Sequence, residues 1–157
     1  MAILPFFAIM LYYYLKLPFE EIENNKFKLE VIFTHAAFLY LLLLIREMIK
    51  DLENIKGDLA SDYHTIPIIY GEALSKKIIT ALTVATVLPI YFLIDTHDVG
   101  YMDIYFYICL IVLILFLGYL WKSKTKEHFL LLHNVLKSLI VAGVFCIVLI
   151  NPHILFY

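Results

Sequence analysis

The sequence is short of charge, and this shortage indicates which class of protein it encodes. Only 17% of its 157 residues are Asp, Glu, Lys or Arg, whereas 63% are hydrophobic. Soluble domains carry about a quarter charged residues and roughly half apolar ones. The mean hydropathy is +0.88. The composition therefore predicts an integral membrane protein surrounded by membrane lipids.

Two further scarcities exclude other classes. There is no basic excess, since 12 Lys and Arg residues stand against 14 Asp and Glu residues, for a net charge of -2. A cationic surface for nucleic acid phosphates is therefore missing, and we expect no nucleic-acid partner. Both cysteines, Cys109 and Cys146, lie inside long apolar runs, which argues against a disulfide-stapled secreted scaffold.

Five apolar stretches follow one another, each near the length of about 20 residues that a bilayer crossing needs. They comprise residues 2–15, 31–45, 78–94, 104–121 and 129–150. We find no repeat and no second, soluble domain. The sequence therefore predicts an all-α, polytopic transmembrane helix bundle of about five transmembrane helices, with residues 1–157 as one transmembrane domain.

Lysine and arginine are distributed unevenly between the connections. The segment 46–77 and the link around Lys122, Lys124 and Lys126 are rich in them, whereas residues 95–103 and 151–157 contain none. Cationic connections stay in the cytoplasm. We therefore expect a multi-pass protein of a bacterial or archaeal cell membrane, with residues 46–71 forming a cytoplasmic helix and loop.

The segment 46–58 sorts its side chains by face when it is read as a helix that continues the second apolar stretch. Arg46 and Lys50 are four residues apart and form a cationic row. Side chains with acceptor oxygens form a neighbouring stripe at i, i+4, i+7 and i+11: Glu47, Asp51, Asn54 and Asp58. Hard oxygens suit Mg²⁺, and cations suit the oxygens of a diphosphate.

A simpler interpretation of the same charges is also open. Helix ends at a membrane surface are commonly charged, and Glu47 with Lys50 or Lys50 with Asn54 would then be surface pairs, worth a few tenths of a kcal/mol. The spacing alone does not separate the two interpretations. The residues that follow Asp58 favour a binding motif.

The whole string resembles the second aspartate-rich motif of the UbiA superfamily of intramembrane prenyltransferases. It reads Arg46-Glu47-x-x-Lys50-Asp51-x-x-Asn54-x-x-Gly57-Asp58, followed by Thr65-x-Pro67 and Gly71. Members of that family have nine helices, and the second motif follows the sixth. The resemblance therefore implies that the five stretches correspond to helices five to nine, with the motif loop on the cytoplasmic side.

The resemblance also implies roles for individual residues. Asp58 matches the final aspartate of the motif and is the first choice for a metal ligand, with Asp51 as a second acidic partner. Asn54 stands where the family usually has aspartate, and its amide oxygen would bring a ligand without charge. Arg46 and Lys50 match the cationic positions at the diphosphate. Asp51, Asp58 and Lys50 are thus the candidate catalytic residues, and Mg²⁺ is the implied cofactor.

Lys137 is a further candidate for the diphosphate. It lies four residues after His133, on one face of the last apolar stretch. A charged side chain within a bilayer should point toward protein or water. Two interpretations stay open, namely contact with the diphosphate and extension of the lysine toward the cytoplasmic interface.

The function implied by the resemblance is Mg²⁺-dependent transfer of an isoprenyl group from a polyprenyl diphosphate to a hydrophobic acceptor, either a lipid or an aromatic compound. The motif is more similar to the geranylgeranylglyceryl phosphate branch and the chlorophyll or homogentisate branch than to the hydroxybenzoate branch, which is compatible with a geranylgeranyl donor. The alternative is a non-catalytic membrane subunit or transporter segment whose polar loop binds a partner or an anionic lipid.

The first motif of the family, an Asn-Asp-x-x-Asp string, does not occur in this sequence. We therefore expect the chain to correspond to the C-terminal portion of such an enzyme. The N-terminal half would then be supplied in the same or a separate chain, and these residues alone should have little or no activity.

Overall fold

The computed structural model describes residues 19–95 and 102–146, with side-chain surroundings for residues 30, 31, 33–95 and 102–145. Within these ranges the protein is all-helical, which confirms the predicted fold class. Six helices follow in chain order: α1 (Phe19–Glu53), α2 (Ile55–Ala60), α3 (Ile66–Tyr70), α4 (Glu72–Asp95), α5 (Met102–Lys122) and α6 (Lys126–Cys146).

Three helices in the described part of the chain are long and apolar enough to cross a membrane. They span Glu72–Asp95, Met102–Lys122 and Lys126–Phe145. The predicted stretch 31–45 forms part of the longer helix α1, and the stretch 2–15 falls outside the described residues. The chain is thus a multi-pass membrane protein, while the number of five crossings stays a prediction.

Helix α1 is the central packing element. It packs against both α4 and α6. Its fully buried side chains recur every three or four residues, as expected for one face of a helix: Phe38, Leu42, Ile45, Ile49 and Leu52. Because this buried stripe runs almost to the end of α1, the charged residues between its members are carried on a firmly packed helix.

Helices α1, α5 and α6 meet at an aromatic contact. The rings of Phe38 and Phe106 pack edge to face with centroids 5.5 Å apart. The hydroxyl of Tyr105 donates a hydrogen bond to the carbonyl of Leu139 at 2.8 Å. Gly143 makes this approach possible, because a Cβ there would lie 2.6 Å from the Tyr105 hydroxyl. The small residue thus lets α6 pack closely against its neighbours.

A buried lysine joins the start of α4 to the link between α5 and α6. Lys76 is only 7% exposed, and its Nζ donates a hydrogen bond to the carbonyl of Ser123 at 2.6 Å. The same atom forms an ion pair with Glu72 at 2.7 Å and lies 5.5 Å from the centre of the Phe129 ring. A charge at this position is tolerated because the ammonium has polar and aromatic partners.

Substitution of Lys76 should destabilise the protein much more than the same substitution at its neighbour, Lys77. Lys76→Met leaves the Ser123 carbonyl unpaired, and we expect a loss of about 2 kcal/mol, the usual value for a hydrogen bond to a charged group. Lys77→Met is the matched control, because Lys77 is exposed and should stay within about 0.5 kcal/mol of the wild type. Equal changes in the unfolding free energy of the two variants, measured in detergent micelles, would contradict the structural role of Lys76.

Candidate functional site

The predicted helix from Arg46 to Asp58 forms with one break. Helix α1 ends at Glu53 and α2 begins at Ile55, while Asn54 between them has φ -107 and ψ 17. Backbone hydrogen bonds cross the break, since Asn54 N donates to Lys50 O at 3.0 Å and Asp58 N donates to Asn54 O at 2.9 Å. The faces expected from helical spacing are therefore preserved across Asn54.

The apolar side of this segment packs into the bundle. Met48, Ile49 and Leu52 are buried. Glu47, Lys50 and Asn54 are exposed on the other side. The packing of the apolar side thus fixes the direction in which the acceptor and cationic rows face, namely away from the hydrophobic core.

Two of the predicted metal ligands are in direct contact. Nδ2 of Asn54 donates a hydrogen bond to Oδ1 of Asp58 at 2.8 Å. Because the bond uses the amide nitrogen, the amide oxygen of Asn54 remains a possible ligand beside the carboxylate. Asparagine at this position therefore keeps an oxygen atom in the stripe and adds a donor that orients Asp58.

Gly57 makes room for this contact. A Cβ at position 57 would lie 2.6 Å from Oδ1 and 2.9 Å from Nδ2 of Asn54. Both distances are far inside van der Waals contact, so any other residue would displace the amide. The glycine of the motif is thus explained by the space that the asparagine side chain occupies.

The third predicted ligand, Asp51, lies in the negative field of its neighbours. Partial burial raises the pKa of its carboxyl, the nearby charges of Asp58 and Glu47 raise that pKa further, and Lys50 opposes them. Carboxylates that destabilise one another's ionised form are stabilised by a bound cation. The field along the stripe therefore favours a divalent metal.

The two cationic residues both pair with Glu47. Nη1 of Arg46 lies 3.3 Å from Oε1 of Glu47, and Nζ of Lys50 lies 3.7 Å from Oε2 of the same residue. Nε of Arg46 is buried and has no hydrogen-bond partner among the described residues. These long, partly exposed pairs are weak. Arg46 and Lys50 can therefore turn to a stronger anion without a large cost.

Helix α6 runs alongside the end of α1. Nδ1 of His133 lies 3.9 Å from Oε2 of Glu53, and both side chains are largely buried. Helical spacing alone does not pair these residues, because Glu53 lies outside the acceptor stripe and only the packing of α1 on α6 brings it to His133. The contact places the charged end of α1 beside the second and third turns of α6.

Lys137 lies one turn beyond His133 on α6, and its side chain is exposed. It is eleven residues from the first residue of the helix, or about 16 Å along the axis. It is therefore near the middle of the candidate span Lys126–Phe145. Extension of Lys137 toward the interface and contact with a polar ligand are both compatible with this position. Its contact with a diphosphate stays a prediction.

The last part of the string builds a short turn that leads into α4. Thr65 is the residue before α3, Pro67 lies in the first turn of that helix and is buried, and Gly71 follows its end. Gly71 has φ +86, a left-handed conformation that favours glycine. Its N–H donates a hydrogen bond to Pro67 O at 3.1 Å. The turn thus requires glycine at position 71, and proline is compatible with the first turn of α3.

The donor set fits Mg²⁺ only as a partial site. No three His, Cys, Asp or Glu side chains within the described ranges are grouped so that they could hold a metal ion. The predicted set consists instead of the carboxylates of Asp51 and Asp58 and the amide of Asn54. These are hard oxygen donors, and Mg²⁺ usually keeps water and substrate oxygens as its other ligands. The stripe is suited to a metal that it shares with a phosphate.

Two curated proteins are similar to part of this chain, and both are named digeranylgeranylglyceryl phosphate synthase. The one from Methanosphaera stadtmanae is 41% identical over 83 residues, which are 53% of this chain and 28% of the relative. The one from Methanopyrus kandleri is 44% identical over 62 residues, which are 34% of this chain and 23% of the relative. The chain thus spans less than a third of the relatives' length.

Neither the family models nor the solved structures contain a match to this chain.

The raised pKa of Asp51 predicts a pH-dependent stability. Its carboxyl is more easily ionised in the unfolded chain than in the folded one, so ionisation destabilises the fold as the pH rises from the ordinary aspartate pKa through the raised value. Asp51→Asn removes this cost. In metal-free buffer we expect the variant's gain in Tm over the wild type to be absent at acidic pH and to grow with rising pH. A gain that shrinks with rising pH would contradict the electrostatic description of the stripe.

Proposed function

We propose that this chain supplies the second diphosphate-binding cap of a UbiA-type prenyltransferase; the resemblance of its motif and its similarity to two digeranylgeranylglyceryl phosphate synthases support the proposal. The observation that carries the proposal is the stripe itself, in which Asp51, Asn54 and Asp58 present oxygen atoms on a helix packed into a membrane bundle. Partial burial and the charge of Asp58 raise the pKa of Asp51, and Asn54 donates a hydrogen bond to Asp58.

The substrates follow from the relatives' names. A glyceryl phosphate that carries two geranylgeranyl groups is the product those names describe. We propose geranylgeranyl diphosphate as the donor and a glyceryl phosphate lipid carrying one geranylgeranyl group as the acceptor. Both are amphiphiles with a phosphate head and an apolar chain, which suits a charged site on a helix bundle that crosses the membrane.

The proposed chemistry is departure of the diphosphate from the allylic carbon of the donor, followed by attack of the acceptor hydroxyl on that carbon. An ether bond forms, and the hydroxyl proton passes to the departing diphosphate or to water. Bound Mg²⁺ would neutralise charge on the departing diphosphate. Asp51, Asn54 and Asp58 would hold the metal. Arg46 and Lys50 would exchange their weak pairs with Glu47 for the diphosphate oxygens, where cations stabilise the charge that develops on leaving.

Lys137 would contribute a further cation from α6. The contact between His133 and Glu53 brings the relevant turns of α6 beside the charged end of α1. A lysine near the middle of a candidate span is stabilised by an anion or by water in front of it. We propose that the diphosphate lies between the end of α1 and this face of α6, on the cytoplasmic side of the membrane.

A complete site requires a second aspartate-rich cap. The 157-residue sequence has no Asn-Asp-x-x-Asp string. We propose that helices carrying this string, in the same or a separate chain, complete the site and that transfer depends on them.

A pair of single-charge substitutions tests the metal role of Asp58. Asp58→Asn should weaken Mg²⁺-dependent binding of geranylgeranyl diphosphate by tenfold or more. Asp62→Asn removes the same charge from the same loop and should leave binding unchanged, and asparagine tolerates the positive φ of 57 at position 62. Isothermal titration of the 157-residue chain, with Mg²⁺ and with chelator, measures both. Equal affinities for the wild type and Asp58→Asn would favour a loop that binds only a partner or an anionic lipid.

Gly57→Ala provides a second test, one that removes none of the proposed ligand groups but should move one of them. The new Cβ should displace the Asn54 amide, which is exposed and can move, so folding should be preserved. We expect weaker Mg²⁺-dependent binding with an unchanged or slightly higher Tm, since alanine favours a helix more than glycine. Unchanged binding would exclude Asn54 from the site.

Mixing experiments test the need for a second cap. The 157-residue chain in vesicles should transfer no geranylgeranyl group by itself, and activity should appear on addition of a membrane segment that carries the first aspartate-rich motif of a related synthase. A motif-bearing segment with its aspartates changed to alanine should not restore it. Robust transfer by the chain alone would contradict the proposal.

A further inference from the structure

The short helix α3 exposes apolar side chains near the end of segment 46–71. Ile69 is 53% exposed and Tyr70 is 65% exposed, while Pro67 of the same helix is buried. Only Gly71 separates α3 from the candidate membrane span α4. Exposed apolar groups at such a position are costly in water and mark a contact surface.

This surface continues into one face of α4. The exposed residues of that helix recur at three- and four-residue spacing and are mostly apolar: Leu74, Lys77, Ala81, Val84, Leu88 and Tyr91. On a candidate membrane span, an exposed apolar stripe of this kind faces lipid. The apolar side chains of α3 therefore extend the lipid-facing surface of α4 beyond its first residue.

Lys77 gives the depth of this surface. It belongs to the lipid-facing stripe and is exposed, and an ammonium on that face must reach the polar edge of the bilayer. Leu74 lies one turn closer to the start of α4, and Ile69 and Tyr70 precede it. These residues therefore lie at the level of the lipid headgroups, where tyrosine is favoured because its ring is apolar and its hydroxyl polar.

We infer that α3 is an interfacial anchor that inserts Ile69 and Tyr70 among the headgroups and upper acyl chains of the membrane. The anchor fixes the last part of segment 46–71 at the bilayer surface, while the packing of α1 fixes the first part. Tyr63, in the same loop, is equally exposed at 66% but precedes α3 and is not joined to the α4 stripe, so it stays in water. The inference requires no metal and no diphosphate.

Tryptophan fluorescence can compare the two tyrosine positions. The sequence has one tryptophan, and Trp121→Phe gives a background without indole emission. Tyr70→Trp and Tyr63→Trp are then placed singly in the full chain, which is reconstituted in phosphatidylcholine vesicles. Quenching is measured with lipids brominated on the upper part of the acyl chain and, separately, with acrylamide in the water phase.

We expect the indole at position 70 to be quenched at least twofold more strongly by brominated lipid than the indole at position 63, with the reverse order for acrylamide. Equal quenching of the two positions by acrylamide would overturn the inference, because α3 would then lie in water. A blue-shifted indole at position 70 that neither quencher reaches would also overturn it, because a protein segment would then cover α3. Neither result would bear on metal or diphosphate binding.

Discussion

The structure of the candidate site depends on the burial of one apolar stripe along α1. Ile49 and Leu52 are fully buried or nearly so, although the residues between and beside them are charged. Removing such side chains from the polar environment stabilises the packed helix by about 1.5–3 kcal/mol each. This packing fixes the rotation of α1 and therefore the direction of Asp51, while Asp58 on α2 is oriented by its hydrogen bonds with Asn54.

The charges on the opposite face do not contribute comparable stability. Glu47 has two weak cationic neighbours, and the neighbouring carboxylates raise the pKa of Asp51. A surface arranged for stability alone would alternate charges so that like charges did not meet. The stripe is instead suited to a ligand that brings both positive metal and negative phosphate. Local electrostatic strain on a rigid helix is typical of binding sites.

Much of this arrangement could be predicted from the sequence, because helical spacing fixes which residues share a face. The buried side of segment 46–58 and the contact between Asn54 and Asp58 follow from that spacing. The break at Asn54, the contact of Glu53 with His133 and the burial of Lys76 do not. They depend on how α1, α4, α6 and the α5–α6 link meet, and in the sequence alone Lys76 is one more cation of a predicted cytoplasmic connection.

The most direct measurement is the location of a bound divalent cation on the chain. Mn²⁺ can replace Mg²⁺ and broadens the nuclear resonances of nearby groups. In the presence of geranylgeranyl diphosphate, broadening should be strongest at Asp51, Asn54 and Asp58 and should weaken when the diphosphate is omitted. Broadening that is strongest elsewhere in the chain, or that does not depend on the diphosphate, would contradict a shared metal and diphosphate site on this helix.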